Sequence, residues 1–435
     1  MALGQASTTQ LRFKKETTFG TAAAGTYQLL RYNSCDFRHT NETVVSDQIN
    51  STREPGDAIR INARAEGSIA TEFSHDTYDT LMAGAFHQDF SAELGITAST
   101  VTLTGSGVSR TWTNTAGTDF GAIGFGIMAG DVIRCRGFTN AANNGLWYVS
   151  TKTSATVMLC TQIQTGDQAT VQDAVPAPAS TSPVNEGPTS IKISGKRLVL
   201  GPTLQSFSFE KALDLDADLY EQFLGCCVSR WNMNVAIPGK IELGFDVIGK
   251  QGSLVRTPAI GASPTAVTTT GILETVDHVQ FVRDWTTSAS GNYIRPLAFT
   301  LSVDNALAPQ PQLGYLGPIA MRLDRANITG TLRMYVEDDG SQPGGVFDLY
   351  ASAVASTNRN RIIACLTDGI ASTPTKYVIV IQKYRITNAR IPVQGNANDL
   401  IFELDFAAQV DPLAINGPVS ANGTSVAIHK LIYPA

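Results

Sequence analysis

Five histidines, six cysteines and two short acidic clusters are the residues of this chain with the right types for chemistry. His39, His75, His87, His278 and His429 stand far apart, and none has a second His or Cys at the spacing of a zinc site. No H-E-x-x-H, P-loop or helix-opening G-x-G-x-x-G occurs. Ser74-His75-Asp76 and Asp277-His278 place triad residue types side by side, but a triad is made by convergence in space. Asp338-Asp339-Gly340 has the oxygen ligands calcium prefers, yet Asp and Gly are also what a turn selects. Asp214, Asp216 and Asp218 alternate in a loop or helix start and read the same two ways. Cys35, Cys135, Cys160, Cys226, Cys227 and Cys365 are scattered, with one adjacent pair, so neither a zinc spacing nor a disulfide framework fits. They read as reduced thiols acting as small buried hydrophobes. The expectation is no catalytic group, no metal and no cofactor.

Composition narrows the classes further. The chain has 435 residues, room for two to four domains. Hydrophobic residues make up 43%, enough for packed cores, while charged residues are only 16%, below the usual quarter. Abundant Gly, Thr, Ser and Ala suit β-structure whose surfaces are covered by other subunits. A net charge of -6 argues against tight nucleic-acid binding, which needs Lys and Arg to neutralise phosphates. No stretch reaches the roughly 18 apolar residues of a membrane span. The start, M-A-L-G-Q-A-S-T-T-Q, lacks a basic region followed by an apolar core, so no secretory signal is expected.

The elements that would position these residues are mostly strands. Leu11–Phe13 and Tyr27–Tyr32 read as short opening strands. Arg38–Asp57 is polar and long for a connection, so it is either mobile or clamps a neighbour. Ala58–Phe73 alternates: Ile59, Ile61, Ala63, Ala65, Ile69 and Phe73 face one way, and Arg60, Asn62, Arg64, Glu66, Ser68 and Glu72 the other. Ser74 is placed to cap a helix through Tyr78, Leu81, Met82 and Phe86, with Asp76 near its positive end.

A matching order recurs later. Leu323–Tyr335 is followed by a helical run through Val346, Leu349, Tyr350 and Val354. Each copy ends in paired strands, I-E-L-G-F at Ile241–Phe245 and F-E-L-D-F at Phe402–Phe406. Between the first helix and its partner strands lies a Thr/Ser/Gly-rich insertion, residues 97–183, with short strands, turn signals and a Pro-rich strip at Pro176–Pro183. The core pattern resumes with strands at Ser190–Leu200, Leu204–Lys211, Val228–Ala236 and Lys240–Lys250. Residues 251–290 are poorly patterned and mark the boundary between copies. The expected organisation is therefore a discontinuous first β domain (1–96 and 184–252), an inserted β domain (97–183) and a second β domain (253–435). Val426–Tyr433 is an apolar run suited to a strand on a neighbour.

On the paired strands one set of charges faces away from the core: Arg230, Asn232, Asn234, Lys240, Glu242 and Asp246, then Asn388, Arg390, Glu403 and Asp405. Glu242 and Glu403 occupy matching places. Together with Arg60, Asn62, Arg64 and Glu66 they form either a solvated outer face or the wall of a water-filled channel. In a channel, mixed and mildly acidic charge lets a polyanion slide past without sticking.

These residues resemble the tail tube proteins of long-tailed bacteriophages. The resemblance rests on E-T-T-F-G-T (Glu16–Thr21), the long loop with Arg53, E-G-S-I-A-T-E-F before a Leu-containing helix, S-F-S-F-E-K (Ser206–Lys211) and the hairpin at Pro238-Gly239. T-G-T-L-R-M-Y-V-E-D-D and F-E-L-D-F-A-A add to it in the second half. It implies a mainly β fold: two tandem β-sandwich or half-barrel domains, each with one flanking helix, whose sheets close into a ring with their neighbours. Rings would stack into a tube in the virion tail, built in the host cytoplasm, enclosing the tape-measure protein and later conducting DNA. Tail terminator and distal tail proteins would be partners at its ends. Two copies per chain imply trimeric rings in place of hexameric ones. Asn41, Glu42, Asp47, Arg53 and Glu54 become candidates for ring-to-ring contact, and the insertion decorates the outside. Competing readings are another virion β protein (distal tail, decoration or fibre subunit) and a carbohydrate-binding adhesin. The latter would group its aromatics in a groove, whereas Trp112, Trp147, Trp231 and Trp285 are dispersed.

Overall fold

The computed structural model describes residues 8–47, 54, 56–93, 96–115, 120, 126–165, 183–213, 219–257, 263–276, 278–284, 292–294, 296–337, 345–368, 374–393, 399–410 and 424–433. Strands dominate them. The chain opens with β1 (Gln10–Lys15), β2 (Gln28–Leu30), β3 (Ser34–Cys35), β4 (Arg38–Val45) and β5 (Ala58–Glu72), then α1 (Asp79–Phe86). Next come β6 (Ile96–Thr104), β7 (Ser109–Asn114), β8 (Val132–Arg136), β9 (Gly145–Lys152), β10 (Val157–Thr165) and β11 (Glu186–Ser194). β12 (Lys196–Val199), β13 (Phe207–Leu213), β14 (Leu219–Ala236), β15 (Glu242–Gly249) and β16 (Gln251–Val255) follow. β17 (Val279–Asp284), β18 (Asn292–Ile294), β19 (Pro296–Asp304), β20 (Ala308–Gln310) and β21 (Ala320–Arg322) lead to β22 (Asn327–Tyr335). Last are α2 (Val346–Val354), β23 (Asn358–Thr367), β24 (Lys376–Arg390), β25 (Ile401–Gln409) and β26 (Val426–Leu431).

One antiparallel order occurs twice. β13-β14-β15-β5 has α1 between β5 and β13 in the chain. β23-β24-β25-β22 has α2 between β22 and β23. β14 is long enough to serve two neighbourhoods. Its first half pairs with β13 and β16, and its second half with β15 and β19. Because β19 also pairs with β22, one sheet runs β3-β5-β15-β14-β19-β22-β25-β24 without a break.

Alternation fixes which face of that sheet is inside. In β15, Leu243, Phe245 and Val247 are buried; in β22, Ile328, Leu332 and Met334 are. They meet Trp231, Phe299, Phe406 and the helices in one continuous core. Trp231 and Phe86 stand edge to face at 5.8 Å, and each large apolar side chain so buried contributes about 1.5–3 kcal/mol. Gly330 sits mid-strand because a Cβ there would strike the Phe406 ring and the Thr300 carbonyl.

β6 to β11 close into a separate barrel around Trp112 and Trp147, whose rings meet edge to face at 5.1 Å. Its first and last strands lie side by side, with Ile96 opposite Ile193, so the chain leaves and re-enters the main body at one place. Val132, Leu146, Tyr148 and Ile163 of the barrel pack against Ile363, Cys365, Val378, Val380 and Leu431. Fully buried Arg134 donates to the Pro374 carbonyl, and Arg197 pairs with buried Asp131 at 2.9 Å, so the barrel is seated firmly.

Several local expectations are corrected. Arg38–Val45, read within a connection, is a strand paired along β5. Ile59 and Ile61 do alternate with Arg60 and Asn62, but they are 58% and 55% exposed, because β4 and β5 project beyond the core. Ser74 does not cap α1: its hydroxyl bonds Thr77, and the helix begins after Tyr78 with no side-chain cap. The single strand expected over Ser190–Leu200 is two, β11 and β12, split at Gly195 with φ 151°. The stretch 251–290 contains β16 and β17. The apolar run near residue 430 is not a strand on a neighbour: β26 fills the gap between β12 and β24 of its own chain.

Candidate functional site

The residues the sequence singled out for charge collect on the polar face of the continuous sheet. Alternation alone places them there: Glu242, Gly244 and Asp246 of β15 lie opposite Asn234, Asn232 and Arg230 of β14. The same β14 residues face Thr300, Ser302 and Asp304 of β19 on the other side. Farther along, Arg333 of β22 faces Glu403 of β25, which faces Arg390 of β24. Asn388 and Asp405 meet in the next row.

Cation and carboxylate are matched across strands. Arg230 reaches Asp304 at 2.8 Å and Lys240 reaches Glu72 at 2.6 Å. Arg390 donates to Glu403 at 2.7 Å while Arg333 approaches the other oxygen at 3.2 Å. Asn388 donates to Asp405 at 3.1 Å, and Asn234 to Glu242 at 3.3 Å. Between the charged rows run hydroxyls and amides: Ser302 donates to Asn232 at 2.8 Å, and Thr300 and Thr331 share a hydrogen bond of 2.7 Å. On the projecting hairpin Arg38 pairs with Glu66 at 2.9 Å, and Arg64 with Glu42 at 3.2 Å and Glu66 at 3.1 Å. Asn62 donates to Glu42 at 3.2 Å, and Arg60 to Asn41 at 3.5 Å.

The pairing shows in the acidities. The Arg38 hydrogen bond holds Glu66 below the usual carboxylate range. Asp36, one strand over, is lowered by the Ser68 backbone N–H. Burial pushes Asp304 up, but the bond from Arg230, the Ala306 N–H and the Arg230 charge outweigh it and leave it lowered. Asp246 goes the other way: burial raises it, and Asp36 and Asp304 add to the rise against the pull of Arg230. Exposed pairs like these stabilise the fold by at most about 1 kcal/mol each. Their larger effect is to cancel charge: Arg38, Arg64, Arg230, Lys240, Arg333 and Arg390 each already hold a carboxylate. A polyanion crossing this face meets cations whose partners must first be displaced.

Of the ring-contact candidates, Asn41 and Glu42 lie on β4, Asp47 and Glu54 flank the hairpin end, and Arg53 lies outside the described residues. Asp214, Asp216, Asp218, Asp277, Asp338, Asp339 and Trp285 lie outside them too. Ser74 and His75 do not converge on a triad, since Ser74 Oγ is bonded to Thr77 and His75 Nε2 lies 3.5 Å from Asp76 and 3.9 Å from Asp368. Among the described residues no group of three or more His, Cys, Asp or Glu could hold a metal ion, and no helix is long and apolar enough to cross a membrane. The six cysteines are free thiols, and Cys35 is the one not fully buried.

Sequence reasoning passed over Asp304, Arg333, Thr300 and Ser302, although alternate positions in Pro296–Asp304 and Asn327–Tyr335 carry them. It also missed a clamp between α1 and the last strand. Lys430 bonds both Asp76 and Asp79, and Tyr377 donates to Asp79 at 2.8 Å.

The family model described as phage tail tube protein matches residues 6–357 of the chain. No curated protein matches it.

Proposed function

The chain belongs to the phage tail tube protein family, and on that footing we propose that each copy carries two tube-forming units in tandem, three copies closing one ring of pseudo-sixfold symmetry. The protein is a structural component of the virion tail that assembles with itself into a tube. The observation that carries the finer reading is the seam between β14 and β19, which joins two units of the same strand order into one sheet. A sheet with open edges invites further strands, and closing into a barrel removes the edges. Eight strands per copy at about 4.8 Å spacing give a backbone cylinder roughly 35–50 Å across for three copies, depending on tilt. That leaves a lumen wide enough for a double helix.

In this arrangement the polar face lines the lumen, and its matched charges let DNA pass during ejection. The tape-measure protein fills the lumen beforehand. The β6–β11 barrel decorates the outside. The β4–β5 hairpin, with Val44, Val45, Ile59 and Ile61 exposed at its projecting end, reaches the next ring. Terminator and distal tail proteins meet the tube's two ends, and assembly takes place in the host cytoplasm. The test is rotational symmetry in electron micrographs of assembled tubes. Three copies per ring is the expected result; six copies per ring overturns the tandem arrangement.

A further inference from the structure

The seam inside one chain also specifies the seam between chains. Edge for edge, β14 and β24 are alike: β15 and β16 line one edge of β14, and β25 and β26 line the same edge of β24. The other edge of β14 carries β13 and then β19. The other edge of β24 carries β23 as far as Arg385, and from Ile386 to Arg390 no strand pairs with it among the described residues. At the opposite end of the sheet β19 is flanked by β22 and β14, whereas β3, its counterpart, is flanked by β5 alone. The helices repeat the asymmetry. α1 is buried from Leu81 to Phe86 beneath the second unit of its own chain, whereas α2 leaves Phe347, Tyr350 and Val354 exposed at 54%, 43% and 74%. What the first unit covers within the chain, the second leaves open.

We infer that Ile386–Arg390 of one copy pairs antiparallel with the β3 edge of a second copy, in the register of the β14–β19 seam, and that this second copy also covers the open face of α2. The inference rests on the ring reading above. The register follows from matched positions. Met233 faces Leu243, and Ala389 faces Leu404, the equivalent residue of F-E-L-D-F. Leu301 faces Gly330, which faces Phe406; Cys35 faces Ile69, which faces Phe245. Since Met233 pairs with Leu301, Ala389 pairs with Cys35 of the second copy. By the same mapping Asn388 meets Asp36. Met233 and Leu301 are 2% and 1% exposed, while Ala389 and Cys35 are each half-buried, as residues at two unclosed edges should be. At the end of the seam Arg385 faces Arg38, whose charge is already engaged by Glu66 at 2.9 Å. The contact is head to tail, so it closes into a ring or propagates without limit.

Directly opposed residues of antiparallel strands have Cα atoms about 4.5–5.5 Å apart, within disulfide range. The experiment is therefore Ala389→Cys in the full chain, mildly oxidised after assembly and run on a denaturing gel without reductant. The expected result is loss of the monomer band to bands of two and three linked chains, reversed by reductant and abolished by Cys35→Ser. Should Ala389→Cys disturb packing, Asn388→Cys with Asp36→Cys in a Cys35→Ser background tests the same register on the polar face. Rings that form while both variants stay unlinked overturn the pairing and leave the ring reading standing. A ladder that ends at six chains supports the pairing and overturns the three-copy ring.

Discussion

His429 makes the subunit acid-sensitive, and the size of the effect can be worked out. Its ring lies on β26 between Arg197 of β12 and Val378 of β24, fully buried, with no hydrogen-bond partner for either nitrogen among the described residues. Burial, with the Arg197 charge adding to it, lowers its pKa from 6.5 to about 3. The unfolded chain takes up this proton near pH 6.5, and the folded chain only near pH 3. Stability is thus fully present above pH 6.5 and is lost as pH falls from 6.5 towards 3. At about 1.36 kcal/mol per unit, the loss from this one group is roughly 2 kcal/mol at pH 5. His87, lowered to about 4 by burial, acts with the same sign, so the two are separated by mutation. The perturbation is His429→Leu, which keeps the volume and removes the titration. Urea unfolding of unassembled subunits, followed by tryptophan fluorescence at pH 7.5 and pH 5, reads the result. The variant should be at least as stable as the parent at pH 7.5 and should lose about 2 kcal/mol less on acidification. Equal losses in the two proteins would refute the reasoning.

Glu403→Gln leaves Arg333 and Arg390 without their shared carboxylate, so tubes of this variant should retain short duplex DNA at low salt and release it as salt rises. Filter binding against parent tubes measures this, and equal retention would show that the matched charges do not govern passage. Deleting Thr43–Ser51 shortens the projecting hairpin and leaves the core untouched, so the subunit should fold with an unchanged unfolding midpoint yet fail to form long tubes in electron micrographs. Tubes of normal length would remove the hairpin from ring-to-ring contact.

The sequence disclosed most where pattern and burial coincide. β5, β15 and β25 alternate strictly, and the match of Glu242 with Glu403 emerged because each lies one residue before a buried Leu. Arg38–Val45 hid its strand because both its faces are solvated, so polarity alternates with nothing. Ile59 and Ile61 misled for the converse reason: period two tells which residues share a side, and leaves open whether anything covers that side. The partners of β26 and β19 are set by pairings hundreds or tens of residues away, for which no local pattern exists. Ser74 has the right residue type for a cap, but Thr77 takes its hydroxyl and the helix starts later.

β26 has a consequence for the order of events in the cell. Its six residues close the gap between β12, made more than two hundred residues earlier, and β24. Until residue 431 emerges from the ribosome, that cleft stays open, and Asp76 and Asp79 lack the lysine that holds them. A nascent chain therefore keeps its first helix loosely seated throughout translation. Premature polymerisation on the polysome is held off by timing alone, with no separate chaperone needed to mask the sheet.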